Sequence, residues 1–152
     1  MPKITIKPFQ TLTPTELYTL LKLRQDIFII EQTCIYPDLD DKDQTAHHLM
    51  AFDGEQMVGC LRILARGVSY EEASIGRVVT SKDRRGEGIA KEMMLQALGF
   101  IQSELGETRV RISAQAYATP FYESVGFAVV SEEYLEDDIP HVEMLCNLAK
   151  NS

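Results

Sequence analysis

The sequence predicts an α+β domain built on a mixed, mostly antiparallel central sheet flanked by helices, and three observations predict it. Apolar residues recur with period two near both ends and through the middle of the chain, and two strongly helical segments interrupt them. A turn signal separates two neighbouring period-two segments, which favours an antiparallel hairpin. The chain has 152 residues, 45% of them hydrophobic and 25% charged. That is enough for one domain spanning residues 1–152 with one core, and the balance is not that of a disordered chain.

Each element has its own signal. In "KITIKPF" the alternation puts Ile4, Ile6 and Pro8 on one side of a first strand. In "TPTELYTLLKLRQDIFIIEQ", Thr13 is positioned as an N-cap, Pro14 as the first helical residue and Glu16 as the partner that completes a capping box. Leu17, Leu20, Leu21 and Phe28 then share a face. The stretch "EQTCIYPDLDDKDQTAHH" has no period, contains Pro37 and four aspartates, and reads as a long loop. Strands resume at "HLMAFD" and "MVGCLRILAR", joined through Asp53 to Gln56, and a third follows at "ASIGRVVT". Ile89, Met93, Ala97, Ile101 and Leu105 repeat at helical spacing up to the stop at Gly106. "TRVRISA" is a strand, "TPFYESVG" a short helix, and "FAVVSEEY" and "HVEMLCNL" two last strands. The predicted order is β-α-β-β-β-α-β-α-β-β.

Composition excludes several functions. The formal net charge is -8, the wrong sign for a protein whose main task is to grip a nucleic-acid backbone. No apolar run reaches the ~18 residues needed to span a bilayer, and "MPKITIKPFQ" lacks the layout of a signal peptide. A cytoplasmic protein with no membrane partner is expected. Three scattered cysteines, Cys34, Cys60 and Cys146, form neither a disulfide framework nor a zinc motif. The "DLDDKD" run lacks the glycine and distal glutamate of a calcium loop, so no metal is expected. The acidity would attract a cationic partner such as an amine.

"SKDRRGEGIAKEMMLQAL" carries the clearest chemical signal. Glycines at the mouth of a helix let backbone N–H groups converge on a ligand, and the helix dipole adds positive potential there. Gly86 and Gly88 have no Cβ to block a close approach, and Arg84 and Arg85 could add charge-assisted contacts. Phosphate suits such a place. The pattern is neither a Rossmann fingerprint, since Lys91 stands where its third glycine would be, nor a Walker A loop. These residues alone leave a simple connector open.

A second motif, "FYESVGF" from Phe121 to Phe127, sets Tyr122 four residues before Gly126. Together with "RRGEGIA" read as R-x-x-G-x-A (Arg85, Gly88, Ala90), it resembles the GCN5-related N-acetyltransferase (GNAT) superfamily. "RQDIFIIEQTCIYPDLDDKD" and "DDIPHVEML" resemble its ElaA-like subfamily more narrowly. The resemblance covers the whole chain, and the family's second helix falls within the long loop. It implies direct transfer of an acetyl group from acetyl-CoA to a primary amine of a small or peptidic acceptor. It further implies that the N–H groups of Arg85, Gly86, Glu87, Gly88, Ile89 and Ala90, with Arg84 nearby, hold the pyrophosphate. Val78 and Val79 would pair with the pantetheine amides, Phe121 would border the cofactor, and Tyr122 would protonate the departing sulfur.

The general base is less visible. Glu31, at the end of the first helix, and His48 and His141, each opening a strand, are the candidates, and a water relay is the alternative to all three. The acidic loop, residues 38–43, is expected near the acceptor entrance, where it would draw in a cationic amine. A non-catalytic acyl-CoA-binding module, a nucleotide-binding or interaction domain, and a homodimer remain compatible with the sequence.

Overall fold

The computed structural model describes residues 1–150. Four antiparallel strands form a first sheet in the order β1 (Lys3–Pro8), β2 (His47–Asp53), β3 (Gln56–Leu64) and β4 (Ser74–Thr80). In a second sheet β8 (Ile139–Asn147) lies between β5 (Arg109–Gln115) on one edge and, on the other, β6 (Phe127–Val129) and β7 (Tyr134–Glu136). Helix α1 (Pro14–Arg24) follows β1, α2 (Ile89–Glu104) follows β4 and the short α3 (Thr119–Glu123) follows β5. The predicted fold class and chain order are therefore those observed, with one strand more.

The capping box predicted at α1 is present: Thr13 Oγ1 accepts from the Glu16 N–H at 3.0 Å, and Glu16 accepts from the Thr13 N–H at 2.8 Å. At Gln25 the helix changes to a π-helical segment, Gln25–Glu31. The family's second helix has no separate α-helical counterpart here. The rest of that loop is irregular apart from one 3-10 turn at Asp43–Thr45.

The segment "FAVVSEEY", predicted as one strand, is two. The Val130 N–H still donates to the Glu143 carbonyl of β8 at 2.9 Å, but the Ser131 hydroxyl takes the place of a backbone acceptor for the Glu143 N–H at 2.8 Å, and the chain then leaves the ladder. It returns as β7, and the tight turn into β8 places both Asp137 and Asp138 at positive φ, 51° and 62°. Aspartate tolerates that conformation better than most residues.

Both faces of the first sheet are covered, which explains the unbroken burial of β3 from Met57 to Leu64. Leu49, Val58, Leu61 and Ile63 pack with Met93, Ala97 and Ile101 of α2 and with β5 and β8 in the main core. Met50, Met57, Cys60 and Val79 face Leu20 and Ile27 of the first helix in a second cluster.

Among the described residues the two sheets are joined by one backbone bridge. Ala73 bridges Val110 in parallel, and the Arg111 N–H donates to the Ala73 carbonyl at 2.9 Å. Beyond it β4 and β5 part. Arg77 adopts φ 52°, and the β3–β4 register jumps from Arg62↔Gly76 to Cys60↔Val79, so two β4 residues oppose Leu61. A bulge of this kind bends the strand that carries it.

Candidate functional site

The parting of β4 and β5 opens a cleft of about 190 Å³. Gly76, Arg77 and Val78 line one wall and Ile112, Ser113 and Gln115 the other. Tyr122, together with Glu136, Asp137 and His141 of the β7–β8 hairpin, also lines the cleft.

Tyr122 sits in a cage of rings, 5.1 Å from Phe121 and 6.0 Å from Phe127 between centroids, both edge-on. Burial pushes its phenol up to about 12, so the hydroxyl holds its proton throughout the neutral range. That hydroxyl has no protein partner among the described residues. A core tyrosine would have its hydroxyl tied off; this one is left free at a cleft. Phe121, expected beside the cofactor, is partly buried and packs against Tyr122 and the main core.

The glycine turn lies directly after β4. Gly86 and Gly88 have φ of 83° and 82°, and a Cβ built on either would meet nothing within 4 Å. The space over the turn is open, and the left-handed backbone is what demands glycine. Gly88 is the N-cap of α2, Ile89 anchors the first turn in the core, and the Glu92 N–H closes onto the Gly88 carbonyl at 3.1 Å. Among the described residues the N–H groups from 85 to 90 donate to no backbone or side-chain acceptor. These unpaired donors stand at the N-terminus of α2, where the helix dipole favours an anion, and are termed the anion cradle.

The two arginines of the turn are already engaged. Arg84 binds Asp53 at 2.7 Å and Glu87 at 3.0 Å. Arg85 makes a two-pronged pair with Glu31, at 2.5 and 3.0 Å. The Arg85 hydrogen bonds hold the Glu31 carboxyl below its ordinary value. Glu31 is thereby a weaker base, turned toward the phosphate turn and absent from the cleft lining. Val78 borders the cleft, while the side chain of Val79 is buried in the second cluster.

His48 is also outside the cleft. It is 1% exposed, and its Nε2 donates to the Asp43 carbonyl at 2.9 Å, fixing the tautomer because a carbonyl only accepts. Burial pushes its pKa down. Of the three candidate bases, His141 alone lines the cleft with Tyr122.

The acidic loop is not the open anionic entrance that the sequence suggested. Arg24, 1% exposed, donates to Asp38 at 2.9 Å and to both oxygens of Asp43 at 2.9 and 3.2 Å. Arg62 grips Asp40 in two-pronged fashion at 2.7 and 2.6 Å and also reaches Asp43 at 3.1 Å. Arg77, stacked over the Tyr36 ring at 5.4 Å, pairs with Asp38 and Asp40. Three arginines thus neutralise three of the four aspartates, and the loop is fastened to the sheet through Arg62 and through Arg77, which lines the cleft. Burial pushes the Asp43 carboxyl up, but Arg24 and Arg62 outweigh it and hold the group below the usual aspartate value.

The free negative charge lies elsewhere. Glu132, Glu133, Glu136, Asp137 and Asp138 crowd seven residues without a lysine or arginine, and two of them line the cleft. In the sequence Glu132 and Glu133 read as the end of the strand "FAVVSEEY", while Asp137 and Asp138 appeared only in the stretch "DDIPHVEML" that carries the family resemblance. The Asp-Asp pair before a period-two segment was the signal for a tight hairpin.

An acetyltransferase (GNAT) domain model matches residues 24–148 of this chain. The chain belongs to the GNAT family. It is 37% identical to the protein ElaA of Escherichia coli over 135 residues, 88% of each chain. A UPF0039 protein of Schizosaccharomyces pombe is 40% identical over 144 residues, covering 93% of this chain and 95% of the relative. Among solved structures, an acyl-CoA N-acyltransferase from Pseudomonas aeruginosa superposes with a TM-score of 0.90 at 40% identity, covering 96% of this chain and 99% of that one. The match to an ElaA-like GNAT protein agrees with both motifs, the phosphate turn and the tyrosine before Gly126. Among the described residues no cluster of three or more metal-binding side chains exists, and no helix is long and apolar enough to cross a membrane.

Proposed function

We propose that this GNAT protein transfers an acetyl group from acetyl-CoA to a primary amine, directly and without a covalent enzyme intermediate. The observation that carries the reading is the free Tyr122 hydroxyl at a cleft whose β4 wall runs on into an anion cradle. The N–H groups of residues 85–90 suit a pyrophosphate, because they have no protein acceptor, they lie at the N-terminus of α2, and the space over Gly86 and Gly88 is open. Beyond the bulge, β4 offers its backbone at Val78 and Val79 to the pantetheine amides, next to the open gap. Acetyl-CoA supplies an activated acyl group. Tyr122 supplies the proton that the sulfur needs as the C–S bond breaks, and its high pKa keeps it in the donating form.

The acceptor reading rests on charge. With the loop at residues 38–43 internally neutralised, the β7–β8 hairpin is the anionic lip of the cleft, and it favours a cationic amine over an acidic one. Calorimetry with acetyl-CoA, followed by a CoA-release assay across a panel of spermidine, tyramine, aminoglycosides and peptides with free amino ends, tests this. Binding of acetyl-CoA with amine-dependent CoA release is the expected result. Binding without release by any amine would favour an acyl-CoA-binding module. Failure to bind CoA, with stabilisation by ATP, would favour a nucleotide-binding domain.

A further inference from the structure

We infer that His141 is the proton acceptor for the incoming ammonium and that Glu136 stabilises the imidazolium it becomes; this rests on the acyl-transfer reading above. His141 is 7% exposed and lines the same cleft as Tyr122. Its Nδ1 lies 2.7 Å from the Ile139 carbonyl. A carbonyl only accepts, so the proton sits on Nδ1 and the neutral ring presents a bare lone pair at Nε2. That lone pair lies 3.4 Å from Glu136 Oε2, a carboxylate with nothing to donate. Two acceptors 3.4 Å apart, on residues that both line the cleft, suit a group rich in N–H donors that can reach both. An ammonium meets the description, and a protonated Nε2 would then complete an ion pair with Glu136.

The surroundings keep the ring in place. The Tyr134 ring stacks on it at 6.2 Å and 24°, with the Tyr134 hydroxyl held 2.5 Å from Ser113 Oγ. Across the β5–β8 ladder His141 is paired with Gln115, which is uncharged. The titratable and charged groups that share the cleft with it are Glu136 and Asp137 on its own hairpin, Arg77 on β4, Cys34, Tyr36 from the loop, Tyr117 and Tyr122. Arg77 is paired with Asp38 and Asp40, and the carboxylate within ion-pair distance of Nε2 is that of Glu136.

Proton bookkeeping closes with these two side chains. The ammonium gives one proton to His141 Nε2, which passes it to solvent after the reaction. The freed amine nitrogen bonds to the acyl carbon as the carbon–sulfur bond breaks, and the electron pair of that bond leaves on sulfur. Tyr122 protonates the sulfur and recovers a proton from the new amide nitrogen. The net change is ammonium plus thioester to amide, thiol and one released proton.

The chain has three histidines, His47, His48 and His141, so long-range proton–nitrogen NMR at alkaline pH can read each tautomer, with His141 assigned by its loss in His141→Gln. The expected spectrum shows Nδ1 protonated and Nε2 bare at His141. A proton on Nε2 would overturn the inference, even where calorimetry shows normal CoA binding, and so is separable from failure of the acyl-transfer reading. Kinetics use the panel amine that releases CoA fastest. His141→Gln should lower kcat/KM by roughly 10²–10⁴-fold, remove the acidic limb of its pH profile and leave CoA affinity unchanged. Glu136→Gln, at an exposed position, should fold normally and lower kcat roughly ten-fold with Nδ1 still protonated. An acidic limb that survives in His141→Gln, or a wild-type rate in either variant, would refute the assignment.

Discussion

Glu31 and Arg85, 54 positions apart in the chain, form a two-pronged ion pair that ties the end of the π-helical segment to the anion cradle. The pair is solvent-exposed, so its contribution to stability is small. Its effect on the cofactor site is more direct, because a guanidinium held by a carboxylate is less available to a phosphate. Glu31→Gln should release Arg85 and raise CoA affinity by up to about five-fold at low salt, the range of an exposed pair. Turnover at saturating CoA should remain near wild type. Calorimetry and steady-state kinetics check both, and a collapse of kcat would restore Glu31 as a base.

Tyr122→Phe removes one oxygen and no packing. Because the hydroxyl has no protein partner, thermal stability should stay within about a degree of wild type, while kcat falls roughly 10²–10⁴-fold with CoA affinity unchanged. The high phenol pKa adds a further expectation. Loss of the Tyr122 proton should not limit the rate below about pH 10, since a group near 12 is still almost wholly protonated there. A rate indifferent to the hydroxyl would leave Tyr122 as packing.

Much of this fold was legible because its signals are local. The capping box at Thr13, the helical repeat from Ile89 and the glycines at 86 and 88 each act within a few residues, and each formed as expected. What could not be read is what depends on partners far apart in sequence. The "DLDDKD" run reads as solvated charge until Arg24, Arg62 and Arg77 arrive from a helix and two strands to bind it. The division into two sheets depends on a bulge at Arg77, which no β-strand pattern announces. Glu31 and His48 were plausible bases by residue type and position, but Arg85 and a buried backbone carbonyl claim them.

Gly88→Ala separates steric from conformational demands. A Cβ there would meet no atom, yet φ is 82°, so the expected loss is about 1–2 kcal/mol of backbone strain. For a chain of this size that is a fall in melting temperature of roughly 2–8 °C. Gly88→Val should lose more, since a β-branched residue is poorly suited to that region. Both should weaken CoA binding by tilting the N–H groups that form the cradle. Unchanged CoA affinity in a folded Gly88→Val protein would remove the turn from the cofactor site.

The buried arginine–aspartate network makes a distinct prediction about acid. Asp40 and Asp43 are held below their ordinary pKa of 3.8; burial opposes this in each case, and the arginines prevail. Their folded-state values are depressed, so their stabilisation is complete above about pH 4 and is lost progressively as pH falls through the folded values. Asp43→Asn leaves Arg24 and Arg62 short of a counter-charge and should cost about 3–5 kcal/mol, seen as a melting-temperature drop on the order of 10 °C at pH 7. The gap between variant and wild type should narrow below pH 3. A gap that stays constant with pH would show that the charge of Asp43 is not what stabilises the loop.

Electrostatic steering is the last prediction, and the two acidic segments separate it from structure. Neutralising Asp38, Asp40 and Asp43 together removes the partners of three arginines, two of them almost fully buried, and should unfold the protein rather than tune its substrate preference. Neutralising Glu132, Glu133, Asp137 and Asp138 touches no arginine or lysine pair among the described residues and spares Glu136. That variant should fold, retain CoA affinity and raise KM for a polycationic amine such as spermidine by roughly three- to ten-fold at low ionic strength. The difference should shrink as added salt shortens the Debye length from ~30 Å at 0.01 M to ~8 Å at 0.15 M. KM for a neutral-bodied amine such as benzylamine, with a single charge at the reacting nitrogen, should change less. Equal KM values for spermidine in the two proteins at low salt would show that the hairpin does not select the acceptor.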